Sequence, residues 1–360
     1  MRHEASTNPG MPADAWMRDA VETRDGVSIP VRATARRPRW EDLPVAVRAR
    51  VQGMVGCAVV GSWSTGTGFT PGFASRLDLA DGRRVFVKAA SSADDRTHGW
   101  QLSAAYREEV RKLTLLPPGL RAPALLWSLD DDVERERWVV LGLQYVEGRP
   151  PRRPWRPDEL GLVTDMLADI APLMTRVPLG LELGTFGDDF GDWPQWLAHA
   201  KARDGASGWL EKVAALAAES VERCSGTGMA HLDLRDDNLL IDAGRRVWIC
   251  DWNFPMLAAP WVDLVCVLAS AFGDGLEVEP VLASHPLTRD VDPASVDSLL
   301  ANLWLYFTSS MDAPVPPFSP HLRDHQRWYT DATEGWLRTR LHLSPPPPSD
   351  SSAVQTEARA

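Results

Sequence analysis

The sequence predicts an α+β chain built as two lobes, a smaller β-rich one first and a larger helical one second. Three observations carry that prediction. At 360 residues the chain exceeds one typical domain, so two bodies sharing a cleft are the natural expectation. Residues 40–147 hold short apolar runs punctuated by glycine, with one main helical pattern between them. After "EGRPPRRPWRP" the spacing turns helical and stays so, apart from one small hairpin. The chain then divides into a polar N-terminal extension (1–38), a first lobe (39–147), a helical second lobe (148–343) and a Pro/Ser-rich disordered tail (344–360).

The elements follow in order. "WEDLPVAVRARVQGMVG" places Leu43, Val47, Val51 and Met54 near helical spacing, with Pro44 suited to a first turn. Gly66, Gly68 and Gly72 mark a loop between strands, and "ASRLDL" and "RRVFVKA" flank the turn "ADG" as a hairpin whose last strand ends near Lys88. "SAAYREEVRKLTLL" is helical through Val110, Leu113 and Leu116, and "RWVVLGLQYVEGRPP" is a strand running into a Gly/Pro break. Beyond it, Leu160, Val163, Leu167, Ile170 and Met174 share one helical face, behind Pro157 and Asp158 in a first turn. Leu210, Val213, Ala217 and Val221 repeat that logic. "NLLI" and "VWIC", separated by "DAGRR", form the small hairpin, and residues 260–340 are helical again.

Composition removes several classes. Cys57, Cys224, Cys250 and Cys266 form no CxxC and no Cys/His cluster, which favours a reduced, cytoplasmic protein without structural zinc. "MRHEASTNPGMPADAW" has no apolar segment, so no signal peptide is expected, and no apolar run approaches the ~20 residues of a membrane span. Residues 1–150 hold 21 Lys/Arg against 19 Asp/Glu, while residues 151–340 hold 16 against 28. The acidic second half argues against nucleic acid and is compatible either with a cationic small partner or with plain solubility.

Chemistry concentrates in "HLDLRDDN", residues 231–238, at the entry of the hairpin. Asp233 and Asn238 stand five residues apart, and Asp251 follows at the end of the second strand. A hairpin brings its outer ends together, so Asn238 and Asp251 can face one cleft. A carboxylate and a carboxamide oxygen are hard ligands, suited to Mg²⁺. Asp233, just upstream, can orient and deprotonate a hydroxyl. Those are the parts that phosphoryl transfer needs.

"HLDLRDDN" followed by "CDW" resembles the H-x-D-x-x-x-x-N … D-W signature of the aminoglycoside phosphotransferase and choline-kinase-like family, which shares the protein-kinase fold. The resemblance runs from about residue 55 to 340. It implies Asp233 as catalytic base, Asn238 and Asp251 as metal ligands, and His231 and Asp263 (in "APWVDL") as supports of the loop. It implies Lys88 in "VFVKA" on the nucleotide phosphates, paired with Glu109 rather than Glu108 in "EVRKLTLL". "GFTPGFASRL" would cover the nucleotide through Gly68, Thr70 and Gly72, and the hinge Gln144, Tyr145 and Val146 would meet the base. The implied activity is transfer of a phosphoryl group from ATP (or GTP), with Mg²⁺, to a hydroxyl of a small molecule such as a cationic antibiotic, amino sugar or amino alcohol. Leu232 stands where many members carry glycine.

Rival readings have their own marks. A protein kinase would carry D-F-G and A-P-E, whereas "DWN" stands here. A catalytically silent, nucleotide-binding regulatory protein would lack the base, lysine or metal ligand, and none is missing. A resistance enzyme and a metabolic kinase look alike at this level. Among the sixteen tryptophans, Trp261 and Trp304 are candidates for an aromatic substrate cleft, against ordinary packing. Asp236 and Asp237 read as solvating the loop, Arg235 as pairing with phosphate or carboxylate, and Asp188, Asp189 and Asp192 as a turn or a cation contact.

Overall fold

A computed structural model describes residues 21–24, 27–30, 35–99 and 101–344; the expected disorder of the tail and most of the extension fall outside them. β1 (Val21–Arg24) and β2 (Val27–Pro30) pair antiparallel. The first lobe is then built on one antiparallel sheet in the order β3-β4-β5-β7-β6: β3 (Val59–Ser64), β4 (Phe73–Leu79), β5 (Arg84–Ser91), β6 (Leu125–Val133) and β7 (Glu136–Gln144).

Strand periodicity decides the two faces. Val85, Val87 and Ala89 of β5 and Val140 of β7 pack beneath α1 (Val45–Val55), which contributes Val47, Val51 and Val55. These three recur every four residues, so the buried stripe closes on Val55, and Met54, expected inside, is 44% exposed. The opposite face meets α3 (Leu102–Leu115), where Leu102 and Tyr106 cover Val139, Leu141 and Leu143. Each fully buried side chain of this kind contributes about 1.5–3 kcal/mol of transfer free energy. On that same face Phe86 and Lys88 point into the space between the lobes. A short α2 (Ser92–His98) links the sheet to α3.

β8 (Gly148–Arg149) crosses to the second lobe, pairing with β10 (Leu239–Asp242), which pairs in turn with β11 (Val247–Ile249). β9 (Gly228–Ala230) pairs with β12 (Met256–Ala258). Around these ribbons stand α4 (Pro157–Met174), α5 (Phe186–Phe190), α6 (Trp193–Asp204), α7 (Gly208–Cys224), α8 (Val262–Gly273), α9 (Glu279–Ser284), α10 (Pro293–Met311) and α11 (Leu322–Arg340). The expected faces are buried in α4 and α7, though Val221 is half-buried and Cys224 completes the α7 stripe. Trp261 and Trp304 belong to this core, at 6% and 2% exposure, so they pack the lobe and do not line a substrate cleft. Among the described residues no helix is long and apolar enough to cross a membrane, and the four cysteines are unpaired.

Candidate active site

The β10–β11 ribbon pairs three residues of each strand, and its open end sets Asn238 and Asp251 side by side: the Cys250 amide donates to the Asn238 carbonyl at 2.8 Å. A 3₁₀ turn at Asp236–Asn238 precedes the ribbon. Asn238 is buried, and its amide group donates to the Asp233 carbonyl (2.7 Å) and to Asp233 Oδ2 (2.9 Å). That orientation commits the nitrogen and leaves the carboxamide oxygen as the donor atom for a cation. Asp251 holds a left-handed backbone, φ +62°, and its Oδ1 accepts from Lys88 Nζ (2.9 Å) and from the Asn253 amide (2.6 Å).

Lys88 arrives from the other lobe. Its Nζ donates to both oxygens of Glu109, at 2.7 and 2.9 Å. Glu109 lies on the buried stripe of α3, one turn beyond Tyr106, whereas Glu108 pairs with Arg111 at the surface. Burial alone would lower the Lys88 pKa, but Asp251 and Glu109 outweigh it and hold the ammonium above its usual value. Burial would likewise raise Asp251; Lys88 reverses that, and the carboxylate sits below its ordinary range, hence ionised. For Asp233 burial prevails, helped by Asp237 and Asp251 and opposed by Arg235, and its pKa is raised.

The loop beneath is tightly braced. Asp263, at the start of α8, accepts the backbone amides of His231 and Leu232, each at 2.8 Å. His231 is buried, with Nε2 3.0 Å from the Cys250 carbonyl and its ring edge-on to Trp252. Leu232 adopts φ +59°, a region that glycine enters freely and leucine enters at a cost of about 1–2 kcal/mol. Asp236 and Asp237, expected to solvate the loop, instead pair with arginine: Asp236 with buried Arg153 (2.7 Å), Asp237 with Arg235 (3.1 Å). Arg235 also faces Asp233 Oδ2 at 3.2 Å, so it pairs with carboxylates. Arg153 carries a second partner, Asp274, through two hydrogen bonds of 2.6 and 2.9 Å. An isolated buried charge would be expensive, and these pairs answer each one.

A cleft of about 350 Å³ opens between the lobes, lined by Lys88, Glu109, Asn238 and Asp251 at one end and by the hinge at the other. Gly68, at φ +80°, and Thr70 border it. Gly72 stands behind the wall: a Cβ there would lie 2.6 Å from the Tyr106 hydroxyl, so packing demands the glycine. The loop tip folds onto the second lobe, where Phe69 meets His325 (ring centroids 4.5 Å) and the Phe69 carbonyl accepts from the Ser319 hydroxyl. In the hinge, the Gln144 amide donates to the Ala124 carbonyl (2.8 Å), and Tyr145 and Val146 stand on the cleft wall. Arg76 lies 5.2 Å from the Trp63 ring and 5.6 Å from Tyr145, closing that end of the cleft.

Among the described residues no cluster of three or more His, Cys, Asp or Glu side chains is arranged to hold a metal. The donors present, one ionised carboxylate and one carboxamide oxygen, suit Mg²⁺, which binds through one or two such ligands together with substrate phosphates. Outside the cleft, Asp188 caps Thr185 (2.7 and 2.9 Å), the turn alternative for that triplet. Sequence reasoning missed the aromatic ridge of Phe190, Trp196 and Tyr306, whose rings lie 5.4–6.3 Å apart. Burial first, and the nearby Asp233 carboxylate second, push the Tyr306 pKa up. The three come from three helices, α5, α6 and α10, the last far from the other two in sequence, so no local spacing signals them.

The phosphotransferase enzyme family (APH) matches residues 75–287. No curated protein is significantly similar in sequence. Many solved structures are similar in fold. A thermostable mutant of aminoglycoside phosphotransferase APH(4)-Ia, in ternary complex with ADP and hygromycin B, is 14% identical with a TM-score of 0.52, covering 82% of this chain and 99% of that one. The GDP complex of an aminoglycoside 2′-phosphotransferase-IIIa mutant is 14% identical with a TM-score of 0.53, covering 82% and 97%. The architecture is that of the two-lobed, protein-kinase-like α+β fold.

Proposed function

The chain belongs to the phosphotransferase enzyme family, and from that premise we propose that it transfers the γ-phosphoryl group of ATP (or GTP) to a hydroxyl of a small molecule. The observation that carries this reading is the meeting of four side chains from both lobes at one cleft, Lys88, Glu109, Asn238 and Asp251, with Asp233 hydrogen-bonded to Asn238 beside it. The base would lie toward Tyr145 and Val146, and the phosphates toward Lys88. Asn238 and Asp251 would hold Mg²⁺, which supplies neutralisation of charge on the phosphate oxygens. Asp233 takes the acceptor proton as the acceptor oxygen bonds to the γ-phosphorus and the bond to the ADP oxygen breaks, the electron pair leaving with ADP. Its raised pKa makes it a stronger proton acceptor than an exposed aspartate. Two proteins of the same fold were solved with ADP and with GDP, and one of those with hygromycin B, which supports both the nucleotide and a polar small acceptor.

The acceptor would lie against the second lobe, near the aromatic ridge. The excess of acidic residues there favours a cationic acceptor such as an amino sugar or amino alcohol. A cytoplasmic location completes the proposal, supported by four unpaired cysteines. The test is a transfer screen with γ-labelled ATP and GTP against amino sugars, nucleoside antibiotics, amino alcohols and simple sugars. The expected result is labelling of one class by the wild type and none by Asp233→Ala. Full turnover by Asp233→Ala would remove the base assignment.

A further inference from the structure

The run "RATARRPRW", residues 32–40, reads in sequence as part of a polar extension. Its described part is instead a strap between the lobes. The Ala35 amide donates to the Gly68 carbonyl at 3.1 Å, on the nucleotide-covering loop of the first lobe. One residue on, the Arg36 amide donates to the Phe318 carbonyl at 2.7 Å, in the loop between α10 and α11 of the second lobe. Held at both sides, the strap turns Arg37 into the cleft. Arg37 lines the wall, its Nη1 donates to the Thr65 carbonyl at 3.4 Å, and its Nη2 lies 3.2 Å from where a Cβ on Gly68 would stand. Burial lowers its pKa, opposed by Tyr106, Asp251 and Asp237.

Without it, Lys88, Glu109 and Asp251 at this end of the cleft carry a net negative charge, and Mg²⁺ would be the one other cation to offset it. Lys88 faces two carboxylates at once, Glu109 and Asp251. Arg37, Arg76 and Lys88 are the cationic side chains among the described residues that line the cleft. Arg76 belongs to the other end of the cleft, between Trp63 and Tyr145. Arg37 is the cation that stands beside the glycine loop, where backbone and phosphate approach each other. A guanidinium also matches phosphate oxygens through two parallel hydrogen bonds, which an ammonium cannot do.

We propose that Arg37 is a phosphate-binding residue of the nucleotide site, delivered by the strap that ties the glycine loop to the second lobe. The assignment rests on the phosphotransferase reading above. It is tested on the full chain by calorimetric titration of adenosine, ADP and a non-hydrolysable ATP analogue, with Mg²⁺, into wild type, Arg37→Ala, Arg37→Lys and the surface control Arg50→Ala, with thermal unfolding as a check on folding. Arg37→Ala should weaken ADP and the ATP analogue by roughly 10- to 100-fold, the size of a charge-assisted contact, and leave adenosine unchanged. Arg37→Lys should recover part of the loss, and Arg50→Ala should match the wild type. Unchanged ADP and ATP-analogue affinity in Arg37→Ala overturns the assignment, as does an equal loss for adenosine, which would mean that the strap acts on lobe packing. Tighter binding or faster transfer in Arg37→Ala overturns it too, because the strap would then obstruct the site. A wild type that binds adenosine but gains nothing from added phosphates counts against Arg37 alone; one that binds no nucleotide sinks the kinase reading and Arg37 with it.

Discussion

The aspartates of the second lobe follow two opposite plans. Asp263 and Asp274 are buried with both oxygens occupied: Asp263 by two backbone amides, Asp274 by Arg153 through both oxygens and by the Trp155 amide. Asp233 and Asp251 keep one oxygen each without a hydrogen bond among the described residues, Oδ1 and Oδ2 respectively; Asp251 meets Lys88 of the first lobe, and Asp233 stands beside Asn238. The difference separates holding from acting. A carboxylate whose lone pairs are all matched fixes backbone geometry and has nothing left for a ligand. A carboxylate with one oxygen open can take a proton or a cation, and its partners on the other oxygen aim it.

Substitutions at the two kinds should therefore fail differently. Asp233→Ala should lower kcat for transfer by about 10²- to 10⁴-fold, the usual worth of a general base, while thermal unfolding and nucleotide affinity stay near wild type. Asp263→Ala should do the reverse at first order. It strands two buried backbone amides at about 1–3 kcal/mol each, so denaturant unfolding should show a loss of about 2–6 kcal/mol, with activity falling only as the loop loosens. An Asp263→Ala protein of undiminished stability would break the distinction. Asp251→Ala should raise the Kd of the Mg²⁺–nucleotide complex by roughly tenfold or more while adenosine binding persists, as expected for loss of one charged ligand. A loss of folding instead would move Asp251 to the holding class. The smallest effect is on pH. As the proposed base Asp233 would work deprotonated, and burial raises its pKa, so the acidic limb of kcat/KM should fall off above the ordinary aspartate value of about 3.9. A limb at or below that value would mean that the open carboxylate is solvated like a surface one.

Much of the acting set was legible because its members are close in sequence. The periodicity of α4 and α7, the hairpin at β10–β11 and the strand ending in Lys88 could be read from spacing, since each is decided by which residues face the core. The choice of Glu109 over Glu108 is a helical-face argument once Leu102 and Tyr106 are seen to be buried. The holding set was less legible. Asp236 and Asp237 look solvating until Arg153 and Arg235 are in place, and Arg153 lies 121 residues from Asp274. Trp261 and Trp304 were candidates for a cleft because composition counts aromatic residues without saying which way they point.

On its own, the sequence determined the local chemistry: two carboxylates and a carboxamide on a short loop and a short ribbon. Chain connectivity confines residues five or thirteen apart to a small volume whatever the rest of the molecule does. Tertiary structure alone decided what those groups face. Lys88 meets Asp251 across 163 residues, and Arg37 reaches the same space from a strap bonded to both lobes. Contacts at that separation carry no local spacing rule. They exist because two cores, each buried for its own reasons, present their polar remainder to a common gap, where an unpaired charge in low dielectric must find a partner or a ligand.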